Sequence, residues 1–174
     1  MEKIIAAYSG TGKTTFASMH PLAVIDFVCM PYKYYLEPDG DQSEACKANF
    51  DNIMREDWPY NYISAIKQTM KSGKILVIPS DLTVLDLLYL EGLPYILCYP
   101  QRSEKEAYRN RFAARGNTDN FIDVFIGKWD WFLDAQENDQ HSKHIVLGPN
   151  QFLSDVIRIG STSSSDAGGW DIMA

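Results

Sequence analysis

Gly12-Lys13-Thr14 follows Tyr8-Ser9-Gly10-Thr11, which in turn follows the apolar run Ile4-Ile5-Ala6-Ala7. These residue types, at this spacing, suit the cradling of a phosphate. Main-chain N–H groups from Ser9 to Lys13 can curl round an anion if Gly10 and Gly12 take backbone angles that a Cβ forbids. A lysine at position 13 then reaches the β- and γ-phosphates, and the Thr14 hydroxyl ligates Mg²⁺. The full pattern is G-x-x-x-x-G-K-[ST], and Ala7 stands in the place of its first glycine. Were that place to need a positive φ, alanine would strain the loop by about 1 kcal/mol or more. The expected contacts to the bound nucleotide are Ser9, Gly10, Thr11, Gly12, Lys13, Thr14 and Thr15, with Lys13 catalytic and Thr14 on the metal. The competing reading is a surface strand–turn–helix with a chance Gly-Lys-Thr. The strand before it, and Phe16, Ala17 and Met19 after it, argue for the loop.

Other groups fall just after apolar runs. Asp26 closes Ala23-Val24-Ile25, where a carboxylate can accept the proton of a hydroxyl substrate or orient it. It can equally bond local backbone or support Thr14 and Mg²⁺. Asp81 follows Ile75-Leu76-Val77-Ile78-Pro79-Ser80, displaced from the usual acidic place at the end of such a run, and reads either as a metal-side acid or as a helix N-cap. Arg102, Arg109, Arg111 and Arg115 follow the fourth run. Planar guanidinium donors suit developing negative charge on a transferred phosphoryl group. Arg111 and Arg115 share one helical face, and Arg102 and Arg109 another. Arg109 and Arg115 are the first candidates, Arg115 because it precedes a Gly116-Asn117 turn. Met30 to Tyr35 is aromatic and includes Lys33, which could steady an acceptor phosphate; a packed aromatic loop is the simpler reading. Trp58-Pro59-Tyr60 and Tyr99 to Arg102 are further candidates to line the cleft. His20, His141 and His144 have no mutual ligand spacing, and the latter two read as surface residues.

These groups need a frame. Apolar runs alternate with helical patterns, which predicts an α/β fold with a mostly parallel sheet. Strands are expected at about 3–8, 23–27, 74–78, 95–99 and 144–147. Their continuous apolar character suits burial on both faces. Helices are expected over 61–72, over 82–91 with Ser80 or Asp81 as N-cap, and over 103–115 behind a Ser103/Glu106 capping box. One more runs from 119 to 135, with Phe121, Phe125, Trp129, Phe132 and Leu133 on one face, and a short one spans 151–157. Residues 33–58 read as mostly polar and irregular, with Pro38-Asp39-Gly40 as a turn signal, and could form a mobile flap. The Ser/Gly-rich tail 161–174 reads as disordered.

With 174 residues and a net charge of −7, the chain suits one domain and argues against a general nucleic-acid coat or a binder of anionic membranes. No apolar run approaches a membrane span. Cys29, Cys46 and Cys98 lack zinc or disulfide spacing and read as reduced thiols, which points to the cytoplasm.

The combination AAYSGTGKTTFA, VIDF and YPQRSEKEAYRNRFAARGN resembles the P-loop nucleoside and nucleotide kinases, nearest the compact adenylate-kinase-like proteins of bacteria and their phages. The likeness covers about residues 1–157. It implies a three-layer P-loop NTPase fold with a five-stranded, mostly parallel sheet, a small helical lid at about 101–118, and one kinase-like domain over 1–160. It also implies ATP as donor, Mg²⁺, and a small phosphate acceptor. Lid arginines would clamp the transferred group, and Asp26 would face the acceptor. The chain lacks the D-G-x-P-R run of true adenylate kinases, having Ile78-Pro79-Ser80-Asp81-Leu82-Thr83 instead, so adenylate is not implied. The function expected is ATP-dependent phosphorylation of a nucleoside monophosphate or related small nucleotide. The alternatives are a kinase of nucleic-acid ends or modified bases, which the acidic charge disfavours, and a nucleotide-dependent regulatory module.

Overall fold

Ile4–Ala7 form β1, and all four are fully buried. Ile4 and Ala6, with Tyr8 beyond them, enter one apolar cluster; Ile5 and Ala7 enter the other. A strand apolar on both sides must be covered on both sides, which dictates a three-layer arrangement. The structure is a computed structural model and describes residues 2–36, 50–160 and 170–172.

After β1 come α1 (Lys13–Met19), β2 (Val24–Asp26), α2 (Met30–Lys33), β3 (Tyr34–Leu36), β4 (Phe50–Met54) and α3 (Tyr60–Met70). Then follow β5 (Ile75–Pro79), α4 (Leu82–Leu90), β6 (Tyr95–Pro100), a 3-10 turn (Arg102–Glu104), α5 (Lys105–Ala114), α6 (Asp119–Gly127) and α7 (Trp129–Glu137). The chain continues with β7 (Lys143–Leu147), α8 (Leu153–Val156), β8 (Ile157–Ile159) and β9 (Trp170–Ile172).

Five strands form one sheet in the order β2-β5-β1-β6-β7, and every pairing in it is parallel. The expected α/β fold is therefore present, with a sheet that is wholly parallel. In register, Ala7 lies between Pro79 of β5 and Cys98 of β6, and Asp26 lies beside Val77. The carboxyl ends of β1, β2, β5 and β6 thus meet along one edge. The strand order reverses about β1, the place where such sheets open a crevice. One face is covered by α3, α4, α5, α6 and α7 through Ile66, Leu88, Phe112, Ile126 and Leu133; the other is covered by Phe16 and Ala17 of α1 and by Leu153 and Val156 of α8.

Four local expectations are corrected. The helix expected over 119–135 is two: α6 ends at Gly127 and Lys128 leaves helical geometry (φ −102°, ψ 18°) before α7 begins. Glycine is a poor helix former, and the bend lets Phe125 of α6 stack on Phe132 of α7 with ring centroids 5.3 Å apart. No Ser103/Glu106 capping box forms. Ser103 lies in the 3-10 turn, which Trp129 pins by donating its Nε1–H to the Arg102 carbonyl at 3.0 Å, while Glu106 pairs with Arg109. Residues 33–58 are not wholly irregular, because β3 and β4 pair antiparallel, Leu36 with Phe50 and Tyr34 with Met54. Within the tail expected to be disordered, Trp170–Ile172 form a strand on β8. The Pro38-Asp39-Gly40 turn, Cys46 and the rest of the tail lie outside the described residues. Among the described residues no helix is long and apolar enough to cross a membrane.

Candidate active site

The loop after β1 is shaped by its two glycines. Gly10 has φ +81° and Gly12 φ +87°, and Gly12 caps α1 in left-handed geometry. Each is also crowded. A Cβ on Gly10 would lie 3.0 Å from Phe112 Cε1, and one on Gly12 would lie 3.2 Å from Phe152 Cδ1. The alanine in the first-glycine place carries no strain. Ala7 is strand backbone paired on both sides, and the sole non-glycine with positive φ among the described residues is Asn150.

The rest of the loop is braced from within. The fully buried Thr11 donates its hydroxyl to the Tyr8 carbonyl at 2.7 Å, and the Thr11 carbonyl accepts the Leu153 N–H at 3.0 Å. Thr11 therefore holds the loop's shape, a role its place in the motif did not announce. Lys13 donates to the carbonyls of Ala7 (3.1 Å) and Tyr8 (3.0 Å). Burial pushes its ammonium down to about 8, partly offset by the nearby Asp26 carboxylate. Thr14 donates its hydroxyl to Asp26 Oδ2 at 2.6 Å, and Asp26 Oδ1 is buried with no hydrogen-bond partner. Ser9 and Gly10 form the loop's rim. Thr15 is exposed, and its carbonyl accepts the Ser18 hydroxyl at 2.8 Å.

Two of the four arginines reach this loop. Arg111 donates to the Gly10 carbonyl at 3.1 Å and lies over the rings of Tyr108 (4.5 Å) and Phe152 (4.1 Å). Arg115 donates to Ser9 Oγ at 3.1 Å, while its Nε donates to Asn117 Oδ1 at 2.7 Å. Arg109 is a correction. It points away from the loop and pairs with Glu106 at 3.3 Å on an exposed face of α5. The reason is helical phase: Arg111 and Arg115 lie with Tyr108 and Phe112 on the face turned to β1, and Arg109 falls outside that arc. Arg102 is equally absent, its guanidinium held by Asp130 (2.9 Å), Asp134 (2.7 Å) and Glu137 (2.8 Å) of α7. Tyr99, expected to approach the nucleotide, is buried and meets His144 Nδ1 at 2.9 Å, so His144 is a packed residue of β7 and not a surface one.

No protein-family model matches this chain, and no curated protein matches it. The reading of the site therefore rests on its geometry.

Beyond β2 and β5 the site continues. Asp81 caps α4 by accepting the Thr83 N–H at 3.1 Å, as one of its two expected roles required, and its other oxygen accepts Lys33 Nζ at 2.7 Å. Burial alone would lower the Lys33 ammonium, but the hydrogen bond and charge of Asp81 outweigh it and raise its pKa. Lys33 also lies 5.1 Å over the Trp58 ring. Phe27, Tyr32, Trp58 and Tyr62 pack on one another, with Phe27 and Tyr62 stacked at 5.3 Å, and the Tyr62 hydroxyl donates to the Phe27 carbonyl. The aromatic segment is thus mainly a packed layer, in which Phe27 and Tyr32 are partly buried. The Cys29 thiol sits under it, pushed up to about 11 by burial and so held as a neutral thiol.

Among the described residues no group of three or more His, Cys, Asp or Glu could hold a metal. A hard cation that arrives on a phosphate needs only one or two protein oxygens. Thr14 Oγ1, backed by Asp26, with the spare Asp26 Oδ1 beside it, fits that lesser demand for Mg²⁺.

Proposed function

We propose that the chain is an ATP-dependent phosphotransferase acting on a small acceptor of the nucleoside or nucleotide class. One observation supports this above the others. Arg111 and Arg115 meet the Gly10 carbonyl and Ser9 hydroxyl on the rim of a glycine loop whose far side holds Lys13 and the Thr14–Asp26 pair. Cations converge on the loop from α1 and from α5, two separate elements. A structural turn has no use for three.

In this reading the main-chain N–H groups of the loop and Lys13 bind the β- and γ-phosphates, and Thr14 with Asp26 holds Mg²⁺. The metal supplies charge neutralisation on the phosphate oxygens. Arg115 and Arg111 stabilise charge that develops on the transferred group. The apolar lining of Phe112, Tyr108 and Phe152 thins the water round these cations and strengthens their field. Lys13, when it binds a phosphate, exchanges two carbonyl partners for an anion. The five-stranded parallel sheet flanked by helices is consistent with the resemblance to nucleotide kinases, and the lack of a D-G-x-P-R run leaves adenylate without support.

The test joins binding and transfer. Calorimetry should find Mg²⁺-dependent ATP binding, and labelled ATP should pass phosphate to an acceptor. Lys13→Ala should abolish transfer and leave the circular dichroism and melting curve in place. Undiminished transfer in that variant would refute the assignment.

A further inference from the structure

The glycines of the donor loop are covered by rings that arrive from opposite faces of the sheet. Gly10 meets Tyr108 and Phe112 of α5, and Gly12 meets Phe152, which immediately precedes α8. Phe152 does little for the core. Its ring is 38% exposed, whereas Leu153 and Val156, at 0% and 7%, carry the packing of α8. Its backbone is nevertheless fixed. The Phe152 N–H donates to Asp155 Oδ2 at 2.8 Å, and the next N–H, that of Leu153, donates to the Thr11 carbonyl at 3.0 Å. Burial does not account for this ring; its contacts do. One is with Gly12. The other is with Arg111, whose guanidinium carbon lies 4.1 Å from the ring centroid, within cation–π range.

Arg111 differs from the arginines that serve only structure. Arg55, Arg102 and Arg109 are each paired with carboxylates. Among the described residues no carboxylate pairs with Arg111, although it is half-buried. A partly desolvated guanidinium without a counter-ion is short of an anion. Its hydrogen bond to the Gly10 carbonyl fixes one N–H group. Tyr108, at 4.5 Å, lies one turn back on the same helix and moves with it. Phe152 ties it to a second element. A ring against the face of a guanidinium leaves the in-plane N–H groups free to donate.

Building on the phosphotransfer reading above, we propose that Phe152 is a positioning residue: its ring sets the guanidinium plane of Arg111 so that the N–H edge meets the terminal phosphate of ATP. The loop amides meet the β-phosphate of ATP and ADP alike. Arg111 adds a cation at the rim that only the third phosphate reaches. The donor site then tells ATP from ADP partly through Arg111, and that part depends on Phe152.

Calorimetry on the full chain with Mg²⁺-ATP and with Mg²⁺-ADP reads this without an acceptor. Phe152→Leu keeps an apolar side chain against Gly12 and removes the ring face. It should weaken ATP about fivefold or more, hold ADP within about twofold, and leave the melting temperature in place. Should that variant fail to fold, Phe152→Met carries the same expectation. Phe152→Tyr, which keeps the face, should bind ATP as the wild type does. Arg111→Lys keeps the charge and loses the plane, so it should match Phe152→Leu. The two changes together should cost no more than either alone. Equal losses for ATP and ADP in Phe152→Leu would make the ring a prop for the loop and overturn the inference. Unchanged ATP affinity, or full additivity in the double variant, would overturn it as well. A wild-type protein that binds neither nucleotide would overturn the phosphotransferase reading itself.

Discussion

Lys13 provides the sharpest quantitative prediction, because its environment sets its proton affinity. In the free protein burial brings the ammonium to about 8. A bound triphosphate restores charge compensation, so the complex holds the proton to higher pH. Affinity for ATP must then fall as pH rises through 8, since more of the free protein carries a neutral lysine. Above pH 7.5 the nucleotide is itself ionised, its last phosphate proton leaving near pH 6. For a group titrating at about 8, the protonated fraction drops from roughly three-quarters at pH 7.5 to roughly one-tenth at pH 9, an affinity loss of about eightfold. Calorimetry in buffers of different ionisation enthalpy reads the same event as proton uptake, rising toward about one per nucleotide by pH 9. Lys13→Arg should bind with no such dependence, because guanidinium does not titrate there. A wild-type affinity that is flat from pH 7.5 to 9, with no proton uptake, would refute the placement of Lys13 under the phosphates. Stability moves the other way. The unfolded chain holds this proton more tightly, so the Lys13 contribution to stability rises with pH between about 8 and the ordinary 10.5.

Two further outcomes test the loop and its arginines. Gly10→Ala should lower unfolding free energy by roughly 1–3 kcal/mol, read from chemical denaturation, because φ +81° and the ring of Phe112 at 3.0 Å both oppose a Cβ; an unchanged midpoint would mean the loop relaxes freely. Arg115→Ala should cut kcat by about 10²-fold or more with a smaller change in ATP affinity, whereas Arg109→Ala, paired outward with Glu106, should leave both as they are.

The strands were legible because each is apolar without interruption, and only a two-sided sheet can bury such runs. The phosphate loop was legible for another reason: Gly10, Gly12, Lys13 and Thr14 are close in sequence, and their shared geometry is local. What stayed hidden depends on pairing across distance. Arg102 could not be told from Arg111 until Asp130, Asp134 and Glu137 came round on α7 to claim it. Arg111 does differ from Arg109 in the sequence. Tyr108 and Phe112 are spaced as one buried helical face, which carries Arg111 and Arg115 and leaves Arg109 outside. Phe152 left no trace in the sequence, since its contact with Gly12 depends on how β7 delivers the following loop. The Ser103/Glu106 pattern had the right spacing and still failed, because Trp129 holds the preceding turn.

The packing of α5 bears on how the site works. A lid that swings must break few contacts, yet Tyr108 and Phe112 are buried to 1% and 0% exposure against the loop and β1. Withdrawing both rings into water would cost roughly 3–6 kcal/mol, before the ring contacts among Tyr8, Tyr108, Phe112 and Phe125 are lost. Arg102 adds a tie to α7 at the helix start, and at its end the Asn117 N–H bonds the Phe112 carbonyl at 3.0 Å while the Asn117 side chain aims Arg115. Arg111 and Arg115 are therefore held in place before any substrate arrives. In the proposed phosphotransfer their contribution would be that of fixed charges, which need no reorganisation as the transition state forms, and not that of groups carried in by closure. Gly116, though its φ of +78° and open surroundings suit a hinge, serves instead to turn the chain so that Asn117 can reach back to Arg115.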